Sequence, residues 1–445
     1  MPDWFYRTVS RPLLFALPPA TARSFALDFM GRLAGLPFGL GVRMIDFLGH
    51  MRPDPRLQTQ ILGLNLAGPI GLSPHLDPMA QATFAWTRFG FGFIEVGPVT
   101  TDDRNTSSAL VRRNISNETI WMPSPRSGPT LKGLQRRLET LGPSDPSVFV
   151  RIEIRDNQDP TQAVADVIAL MTTLQTGTAC FSLAFPRSNT TRQWTIENWS
   201  AFWQTLDLQR KAHHISQPIV LIVSSEDGEQ FPDNWREITL QSRVTGFLVD
   251  GRQSVDGGFV YGSPVRASVV TTVRRLRESH GSSPAIIASG GIHQPLDADA
   301  VLSAGANLVQ VDTGLVFSGP GLVKRINEAL LWKQSQNGAG KAAVADSTRT
   351  VERSWFWTAL MGLGMLIGSI LALIISATQV VLPYDEVFCG WTRQQIHEFN
   401  PRLLLFMSHD RVTLAGTMVA IGLIYIGLSF CTAFAADNTG QSSPF

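Results

Sequence analysis

The chain has 445 residues, and its 37 Lys and Arg against 36 Asp and Glu give a formal net charge of +1 at pH 7. This balance excludes a polybasic nucleic-acid-binding protein and an acidic tail, so we expect no nucleic-acid partner. Only 16% of the residues are charged and 44% are hydrophobic, whereas ordinary soluble domains carry about 25% charged residues. A membrane is therefore the first environment to consider.

The amino-terminal segment, residues 1–52, alternates apolar clusters such as Leu13-Leu14-Phe15 with arginines such as Arg11 and Arg23. This pattern is typical of helices that lie in a membrane interface. The alternative is a pair of helices packed on the body of the protein. Because no charged-then-apolar leader with a cleavage site precedes the segment, we expect it to stay in the cytoplasm.

Residues 53–333 alternate short apolar runs with helical patterns. Eight runs are candidate strands: Ile70–Ser73, Phe93–Val96, Val148–Ile152, Ala179–Leu183, Ile219–Val223, Gly246–Asp250, Ala285–Ser289 and Leu308–Val311. Helices are predicted between several of them: Asp159–Gln175, Ile196–Lys211, Val265–Ser279 and Leu296–Ala304. Eight strand-then-helix units predict an α/β fold, the (β/α)8 TIM barrel, in which chemistry takes place at the carboxyl ends of the strands.

The ends of the last two strands favour a phosphate site. Ser289-Gly290-Gly291-Ile292 and Asp312-Thr313-Gly314-Leu315 offer backbone amides and one hydroxyl, and barrels bind phosphate at this position. Paired glycines also form tight turns without any ligand, which is the alternative. No clustered His and Cys residues indicate a metal site, so none is predicted.

The carboxyl-terminal part predicts a membrane anchor. Residues 334–353 are rich in small residues and are predicted to be a linker, and residues 354–445 contain two apolar stretches, Trp355–Leu382 and Val412–Ala436, each long enough to cross a bilayer. Between them, Pro401–Arg411 predicts an interfacial helix or an ordinary loop. We expect a multi-pass protein of the cell inner membrane with two spans and the barrel on the cytoplasmic side.

Five segments carry a family resemblance: FYRTVSRPLLFALPPATARSFAL, ILGLNLAGPIGLSPHLDP, FGFGFIEVGPVT, GGFVYGSPV and IIASGGIHQPLDADAVLSAGANLVQVDTGLVFSGPGLVKRI. From Trp4 to Leu331 the sequence resembles the membrane-associated, quinone-dependent (class 2) dihydroorotate dehydrogenases. The resemblance implies an FMN-containing barrel whose amino-terminal helices dock on the inner membrane and admit quinone. It does not extend to the two predicted spans. The retained positions that could hold the phosphate of FMN, or of another phosphorylated ligand, are Gly97, Gly262, Gly290, Gly291, Thr313 and Gly314.

The resemblance fails at the positions that carry the chemistry. Phe185 stands where the family has its catalytic serine, and a phenyl ring cannot accept a proton. The family's lysines are matched by Pro78, after Asp77, and by Ile222, and its third-strand asparagine is matched by Arg151. The remaining departures are Ser182 and Arg187 for the asparagines flanking the serine, Asp250-Gly251 for a Thr-Asn pair, and no clear counterpart in Ile120–Gly128 for an asparagine-rich segment.

Three hypotheses follow. The first is a barrel that has lost dihydroorotate oxidation and serves as a structural or accessory subunit of a membrane complex. The second is an active FMN-dependent, quinone-reducing dehydrogenase with a changed substrate, in which Asp250, Arg151 and Arg187 are the new polar groups. The third is an ordinary dihydroorotate dehydrogenase in which Ser182 or Ser188 replaces the base.

Overall fold

The computed structural model describes residues 6–47, 52–101, 111–123, 128–141, 147–155, 158–185, 194–226, 244–255, 257–336 and 348–440. The chain divides into two compact units, Met1–Gln336 and Asn337–Phe445. Most of the predicted linker, residues 337–347, lies outside the described residues. The two units are taken one at a time.

The first unit contains all the strands of the described chain. In order they are β1 (Thr59–Ile61), β2 (Leu64–Leu66), β3 (Ile70–Leu72), β4 (Phe93–Val99), β5 (Arg112–Asn114), β6 (Thr119–Pro123), β7 (Ser147–Glu153), β8 (Cys180–Ala184), β9 (Ile219–Ser224), β10 (Gly246–Asp250), β11 (Gln253–Val255), β12 (Gly258–Gly262), β13 (Ala285–Ser289) and β14 (Leu308–Val311). Eight of them, β3, β4, β7, β8, β9, β10, β13 and β14, are parallel and close into a barrel in chain order. The predicted TIM barrel and its eight strands are confirmed.

The helices of this unit are α1 (Arg11–Ala16), α2 (Pro19–Ala34), α3 (Leu40–Phe47), α4 (Thr83–Trp86), α5 (Leu131–Leu141), α6 (Pro160–Leu174), α7 (Ile196–Ala212), α8 (Arg266–His280), α9 (Pro295–Ser303), α10 (Thr313–Ser318) and α11 (Leu322–Gln336). Each of the four predicted barrel helices is present. Because helices cover the outer face of the barrel, its strands are buried on both faces and read as continuous apolar runs.

Two small antiparallel sheets lie at the barrel. The hairpin β1–β2 packs Leu66 onto an apolar layer made by the amino-terminal halves of the barrel strands, which includes Phe93, Phe149 and Leu248. The sheet β11-β12-β6-β5 brings the β5–β6 turn to the Gly262 end of β12. The barrel is thus sealed by apolar packing at its amino end, while the carboxyl end of its interior is the candidate site.

The amino-terminal helices pack on the barrel with one side and expose apolar residues on the other. The Tyr6 hydroxyl donates to the Val316 carbonyl at 2.7 Å, and the Arg11 guanidinium donates to the Phe317 carbonyl at 3.0 Å. Large apolar side chains of the segment remain exposed: Leu13, Phe25, Phe29, Leu40 and Met44. The alternative of helices packed on the body of the protein is therefore present, and the exposed apolar side chains leave the membrane-interface prediction standing as a prediction.

The second unit is a pair of long helices, α12 (Thr348–Thr378) and α15 (Pro401–Gly440), joined by two short ones, α13 (Pro383–Cys389) and α14 (Arg393–Phe399). Segments Trp357–Thr378 and Pro401–Phe430 are long and apolar enough to cross a membrane. The helices approach each other closely at two glycines, since a Cβ on Gly362 would lie 2.8 Å from the Gly422 carbonyl oxygen.

The helix bounds in this unit differ from the prediction in two places. Pro401–Arg411 is neither a loop nor a separate interfacial helix but the start of α15, because Pro401 is compatible with a first helical turn and no helix-breaking residue follows. α12 ends at Thr378 rather than Leu382, and Val380 just after it has a left-handed φ of 56°.

Candidate functional site

The barrel interior changes from apolar to polar along its axis. Beyond the Phe93 and Phe149 layer, the next inward positions of the strands carry Glu95, Arg151 and Ser182, all of them buried. Each lies two residues after an apolar inward residue, as the period of a strand requires. The strand sequences therefore build a charged layer at the carboxyl end of the interior.

Glu95 and Arg151 form the centre of that layer. The Arg151 guanidinium binds the Glu95 carboxylate in bidentate fashion, with Nε to Oε1 at 2.9 Å and Nη2 to Oε2 at 3.0 Å. Ser182 Oγ donates to Glu95 Oε1 at 2.5 Å, and Gln310 Nε2 donates to Oε2 at 2.9 Å. Burial lowers the pKa of Arg151, but attraction by Glu95 and Asp250 outweighs burial and raises that pKa overall, so the guanidinium stays charged.

Asp250 and His75 extend this layer across the strand ends. Arg151 Nη1 lies 3.5 Å from Asp250 Oδ2, and Arg252 Nη1 lies 3.4 Å from the same oxygen. His75 Nε2 lies 3.9 Å from Asp250 Oδ1, and His75 Nδ1 lies 3.8 Å from Asp312 Oδ2. These contacts link residues at the ends of β3, β10 and β14. We call the set Glu95, Arg151, Asp250, His75 and Asp312 the mouth network.

The predicted phosphate site at Thr313 holds a carboxylate of the chain itself. The Thr313 backbone amide donates to Asp312 Oδ1 at 2.5 Å, and the Thr313 hydroxyl donates to the same oxygen at 3.0 Å. His293 Nε2 lies 3.0 Å from the Thr313 hydroxyl, and His293 Nδ1 lies 2.6 Å from Glu118 Oε2. Asp312 thus stands at the amino terminus of α10, where a bound anion is favoured.

The predicted cofactor-binding glycines are explained by close backbone approaches. Gly290 and Gly291 have φ values of +106° and +73°, and a Cβ on Gly291 would lie 2.7 Å from the Arg266 nitrogen. A Cβ on Gly314 would lie 2.0 Å from the Ile292 carbonyl oxygen. The remaining two follow the same rule: Gly97 against Arg151 O and Gly262 against Glu118 O. The fold therefore requires glycine at these positions whether or not a ligand binds.

Phe185, at the position of the family's catalytic serine, lies in an aromatic cluster. It follows β8, and its ring centroid lies 4.7 Å from that of Trp199, 5.5 Å from Phe202 and 6.1 Å from Trp194. Four aromatic rings of the described residues surround it, and none of them offers a proton-accepting group: Trp194, Trp199, Phe202 and Trp203. Arg187 and Ser188 lie outside the described residues.

Asp77 has a structural role. Its carboxylate accepts hydrogen bonds from the Gln81 and Ala82 amides at 2.7 and 2.9 Å and from Trp86 Nε1 at 2.9 Å. Burial raises the pKa of Asp77, and these hydrogen bonds oppose that rise. The aspartate shapes the loop after β3, so its retention does not require the lysine that the family places after it.

Sequence reasoning missed the Glu95, His75 and Gln310 members of the site. A signal existed, because Glu95 and Gln310 each interrupt an otherwise apolar run, FIEV and LVQV, at matching inward positions. Pairing across the barrel, however, depends on the register between strands that are distant in the chain. His75 gave no signal, since it lies in a loop after a predicted strand.

FMN, which the resemblance implies, would need space for its ring at the strand ends and free donors for its phosphate. The His75 and Tyr261 rings are in tilted contact, with centroids 4.3 Å apart and both side chains buried, and the amide and hydroxyl of Thr313 already bind Asp312. In this arrangement the residues at the mouth do not fit the group. Among the described residues there is also no cluster of three His, Cys, Asp or Glu that could hold a metal ion.

Comparison with known proteins gives a consistent family. The family model for dihydroorotate dehydrogenase matches residues 239–333. A dihydroorotate dehydrogenase (quinone) from Acidithiobacillus ferrooxidans is 31% identical over 349 residues, which cover 72% of this chain and 94% of that protein. One from Chloroflexus aurantiacus is 29% identical over 356 residues, covering 74% of this chain and 96% of that protein.

The fold agrees with solved structures. The structure of dihydroorotate dehydrogenase from Eimeria tenella in complex with ferulenol aligns with a TM-score of 0.59, covering 73% of this chain and 96% of that chain. Its sequence identity of 21% supports a shared fold and nothing finer.

Proposed function

The chain belongs to the quinone-dependent dihydroorotate dehydrogenase family, and from that membership we propose that it is a member which no longer oxidises dihydroorotate and serves as a structural or accessory subunit of a membrane complex. The observation that carries this proposal is the bidentate Arg151–Glu95 pair with Asp250 beside it. These side chains bind one another at the strand ends, where a barrel enzyme holds its substrate.

The position of the base supports the same proposal. Phe185 cannot take a proton from a substrate carbon, and the nearest described hydroxyl in sequence, Ser182 Oγ, donates to Glu95 inside the barrel. Ser182 is therefore a partner of the mouth network. This geometry argues against the reading in which Ser182 replaces the missing serine.

We propose further that the protein is a two-span protein of the inner membrane with its barrel on the cytoplasmic side. Two apolar helices of sufficient length support the spans, and the exposed apolar side chains of residues 6–47 support a second contact with lipid. The proposed organisation is membrane-associated helices over 1–52, the barrel over 53–333, a linker over 334–353 and the membrane hairpin over 354–445.

A kinetic experiment tests the loss of activity. The full chain, purified in mild detergent, is assayed for dihydroorotate-dependent reduction of a quinone analogue beside the Acidithiobacillus ferrooxidans relative prepared in the same way. We expect the relative to turn over and this chain to show only the background of a blank. Turnover within about tenfold of the relative, a difference of about 1.4 kcal/mol in barrier, would overturn the proposal.

A second experiment tests the role in a complex. Membranes of the native organism, solubilised gently and separated by native electrophoresis, should show this chain in a band much larger than its own 48.8 kDa. Deletion of the gene should remove or weaken that band. Migration of the chain alone, with every other complex unchanged in the deletion strain, would count against an accessory role.

The alternative is an active FMN-dependent, quinone-reducing dehydrogenase. Its support is the amino-terminal segment, which packs against α10 through Tyr6 and Arg11 and which the resemblance associates with quinone entry. In that enzyme Arg151 and Asp250 would contact substrate, so substrate binding would have to break the mouth network. Reduction of quinone by a yellow preparation supplied with an oxidisable organic substrate other than dihydroorotate would favour it.

A further inference from the structure

We infer that the barrel fills its own cofactor site at the carboxyl ends of its strands: the His75 and Tyr261 rings take up space that a flavin ring would need there, the Asp312 carboxylate takes the donors that a phosphate would need at Thr313, and the chain therefore binds no FMN. The inference rests on the family membership stated under the proposed function. It goes beyond loss of activity, since a protein can lose catalysis and still carry its flavin.

The phosphate end of the site lies at Thr313, the first residue of α10. An anion at the amino terminus of a helix is held by unpaired amides and by the positive end of the helix dipole. At α10 the Thr313 amide and hydroxyl both donate to Asp312 Oδ1, at 2.5 and 3.0 Å. The Asp312 side chain is buried, with 1% of it exposed. A phosphate would have to displace Asp312 Oδ1 from these two donors, and it would be repelled by the carboxylate in a poorly screened interior.

The second contact of Thr313 leads to the same result. His293 Nε2 lies 3.0 Å from the Thr313 hydroxyl, and Glu118 lies against the other ring nitrogen at 2.6 Å. Glu118 belongs to the β5–β6 turn, so the imidazole is fixed between this turn and α10. The surroundings of Thr313 thus contribute two carboxylates, Asp312 and Glu118, and no Lys or Arg side chain is among the partners of Thr313 or Asp312 that the structure describes.

His75 fills the part of the site that would have to hold the flavin ring. Its imidazole contacts the Tyr261 ring in a tilted arrangement, with centroids 4.3 Å apart and an interplanar angle of 60°, and only 2% of the His75 side chain is exposed. The same imidazole lies between Asp250 at 3.9 Å and Asp312 at 3.8 Å. A planar tricyclic ring entering here would have to displace both aromatic side chains and separate the imidazole from both carboxylates.

The charged side chains at the centre of the mouth network make it costly to move Asp250. Arg151 is bound to Glu95 on one side and lies beside Asp250 on the other. Moving Asp250 to make room would separate a buried charge from its partner, which is strongly unfavourable. A bound flavin would therefore have to move side chains at both ends of the site and at its centre.

The first test measures flavin directly. The full chain is extracted from membranes in mild detergent, denatured with acid, and assayed for released flavin, beside the Acidithiobacillus ferrooxidans relative as a control for loss during extraction. We expect the relative to release flavin and this chain to release at least about tenfold less per chain. Release of flavin in equal amount to the chain would overturn the inference.

The second test asks whether His75 and Asp312 cause the exclusion. Added FMN should leave the Tm of the wild type unchanged, and should raise the Tm of a His75→Gly/Asp312→Asn variant in a saturable manner. The matched control is His213→Gly/Asp299→Asn, which makes the same chemical changes at exposed positions and should show no rise.

Asp312→Asn alone is the conservative form, because it keeps an acceptor oxygen for the Thr313 amide if the double variant does not fold. It too should gain a measurable FMN-dependent rise in Tm over the wild type. If folded variants gain no affinity for FMN, the exclusion does not come from these side chains and the inference is wrong.

These results are distinguishable from failure of the proposed function. A preparation that carries flavin but does not oxidise dihydroorotate would overturn this inference and leave the proposed function intact. A flavin-free preparation that nevertheless belongs to no complex would support this inference and count against the accessory role.

Discussion

At the scale of single residues, Arg151 is the most heavily engaged cation of the described barrel interior. Its guanidinium binds Glu95 with two hydrogen bonds, lies 3.5 Å from Asp250, and is almost fully buried. Buried ion pairs add little net stability compared with apolar packing, but breaking one leaves an uncompensated charge in the interior. The mouth network is therefore better understood as a geometric constraint than as a source of stability.

Replacing Arg151 should reveal this constraint. Arg151→Met is expected to lower the free energy of unfolding by about 3–5 kcal/mol, because Glu95 and Asp250 lose their shared cation. Denaturant unfolding in detergent measures the change. Arg56→Met is the matched control, since Arg56 pairs with Asp54 at the surface, and such pairs contribute about 0–1 kcal/mol. Equal effects of the two substitutions would show that the mouth network does not hold the interior together.

A serine at position 185 should not restore dihydroorotate oxidation. Phe185 lies among Trp194, Trp199 and Phe202, so Phe185→Ser creates a cavity in an aromatic cluster and leaves the mouth network unchanged. We expect a loss of about 2–4 kcal/mol in stability, at or below the range for deleting a core ring, and no turnover. Phe185→Leu keeps most of the apolar contact and should cost less. Turnover by Phe185→Ser would show that the mouth admits substrate.

The sequence shows which of the family's residues are absent from the site, but it does not show which contacts the residues in their place make. Phe185 and Pro78 can each be recognised by comparing a single position with the family's motif. The contacts of Arg151 with Glu95 and of His75 with Asp250 depend on which side chains of different strands face each other inside the barrel. Such contacts join residues that no local pattern relates.

At the scale of elements, the barrel strands were predictable because helices cover them and their residues are apolar on both faces. Strands β5 and β11, with sequences RRN and QSV, were not predicted, since three mostly polar and partly or fully exposed residues give no periodic signal. The start of α15 was predicted too late because Arg402, Asp410 and Arg411 make its first turns look unlike a span. At about 1.5 Å per residue its 40 residues extend about 60 Å, twice a bilayer core of about 30 Å.

Two matched glycine substitutions in α12 test its close approach to α15. Gly362→Ile should separate the helices, because a Cβ there would lie 2.8 Å from the Gly422 carbonyl oxygen. Gly364→Ile should be tolerated, since a Cβ at Gly364 meets no described atom within 4 Å. The Tm of the isolated hairpin in detergent, or cysteine cross-linking between the helices, measures the difference. Equal behaviour of the two variants would exclude a close glycine crossing.

The contact of Tyr6 with Val316 should make the amino-terminal segment sensitive to alkali. Burial raises the pKa of Tyr6 to about 12, while Arg11 and Arg113 oppose the rise. The folded state therefore holds the phenol proton more tightly, so its contribution to stability is complete below about pH 10 and is lost as the pH rises to about 12. Hydrogen exchange in α1 should increase over that interval.

Tyr6→Phe is the control for this titration. It removes the hydrogen bond to Val316, at a cost of about 1 kcal/mol, and should lose the pH dependence between about pH 10 and 12. An unchanged alkaline transition in the variant would assign the effect to other groups.

At the scale of the whole molecule, the two units predict different modes of membrane attachment. A chain ending at Gln336 keeps the exposed apolar residues of its amino-terminal helices, such as Leu13 and Phe25, but lacks both candidate spans. It should bind vesicles and be released by alkaline carbonate, whereas the full chain should need detergent. Release of the full chain by carbonate would show that α12 and α15 do not span the bilayer.

The mouth network also bears on how the protein is made. A barrel that is stabilised by a bound ligand reaches its full stability only as that ligand is supplied. On the inference that the chain binds no FMN, the groups that close the mouth are synthesised with the chain, and we expect the barrel to mature without a bound flavin. Its abundance in the cell should then stay constant when riboflavin becomes scarce, while the abundance of its flavin-dependent relatives falls.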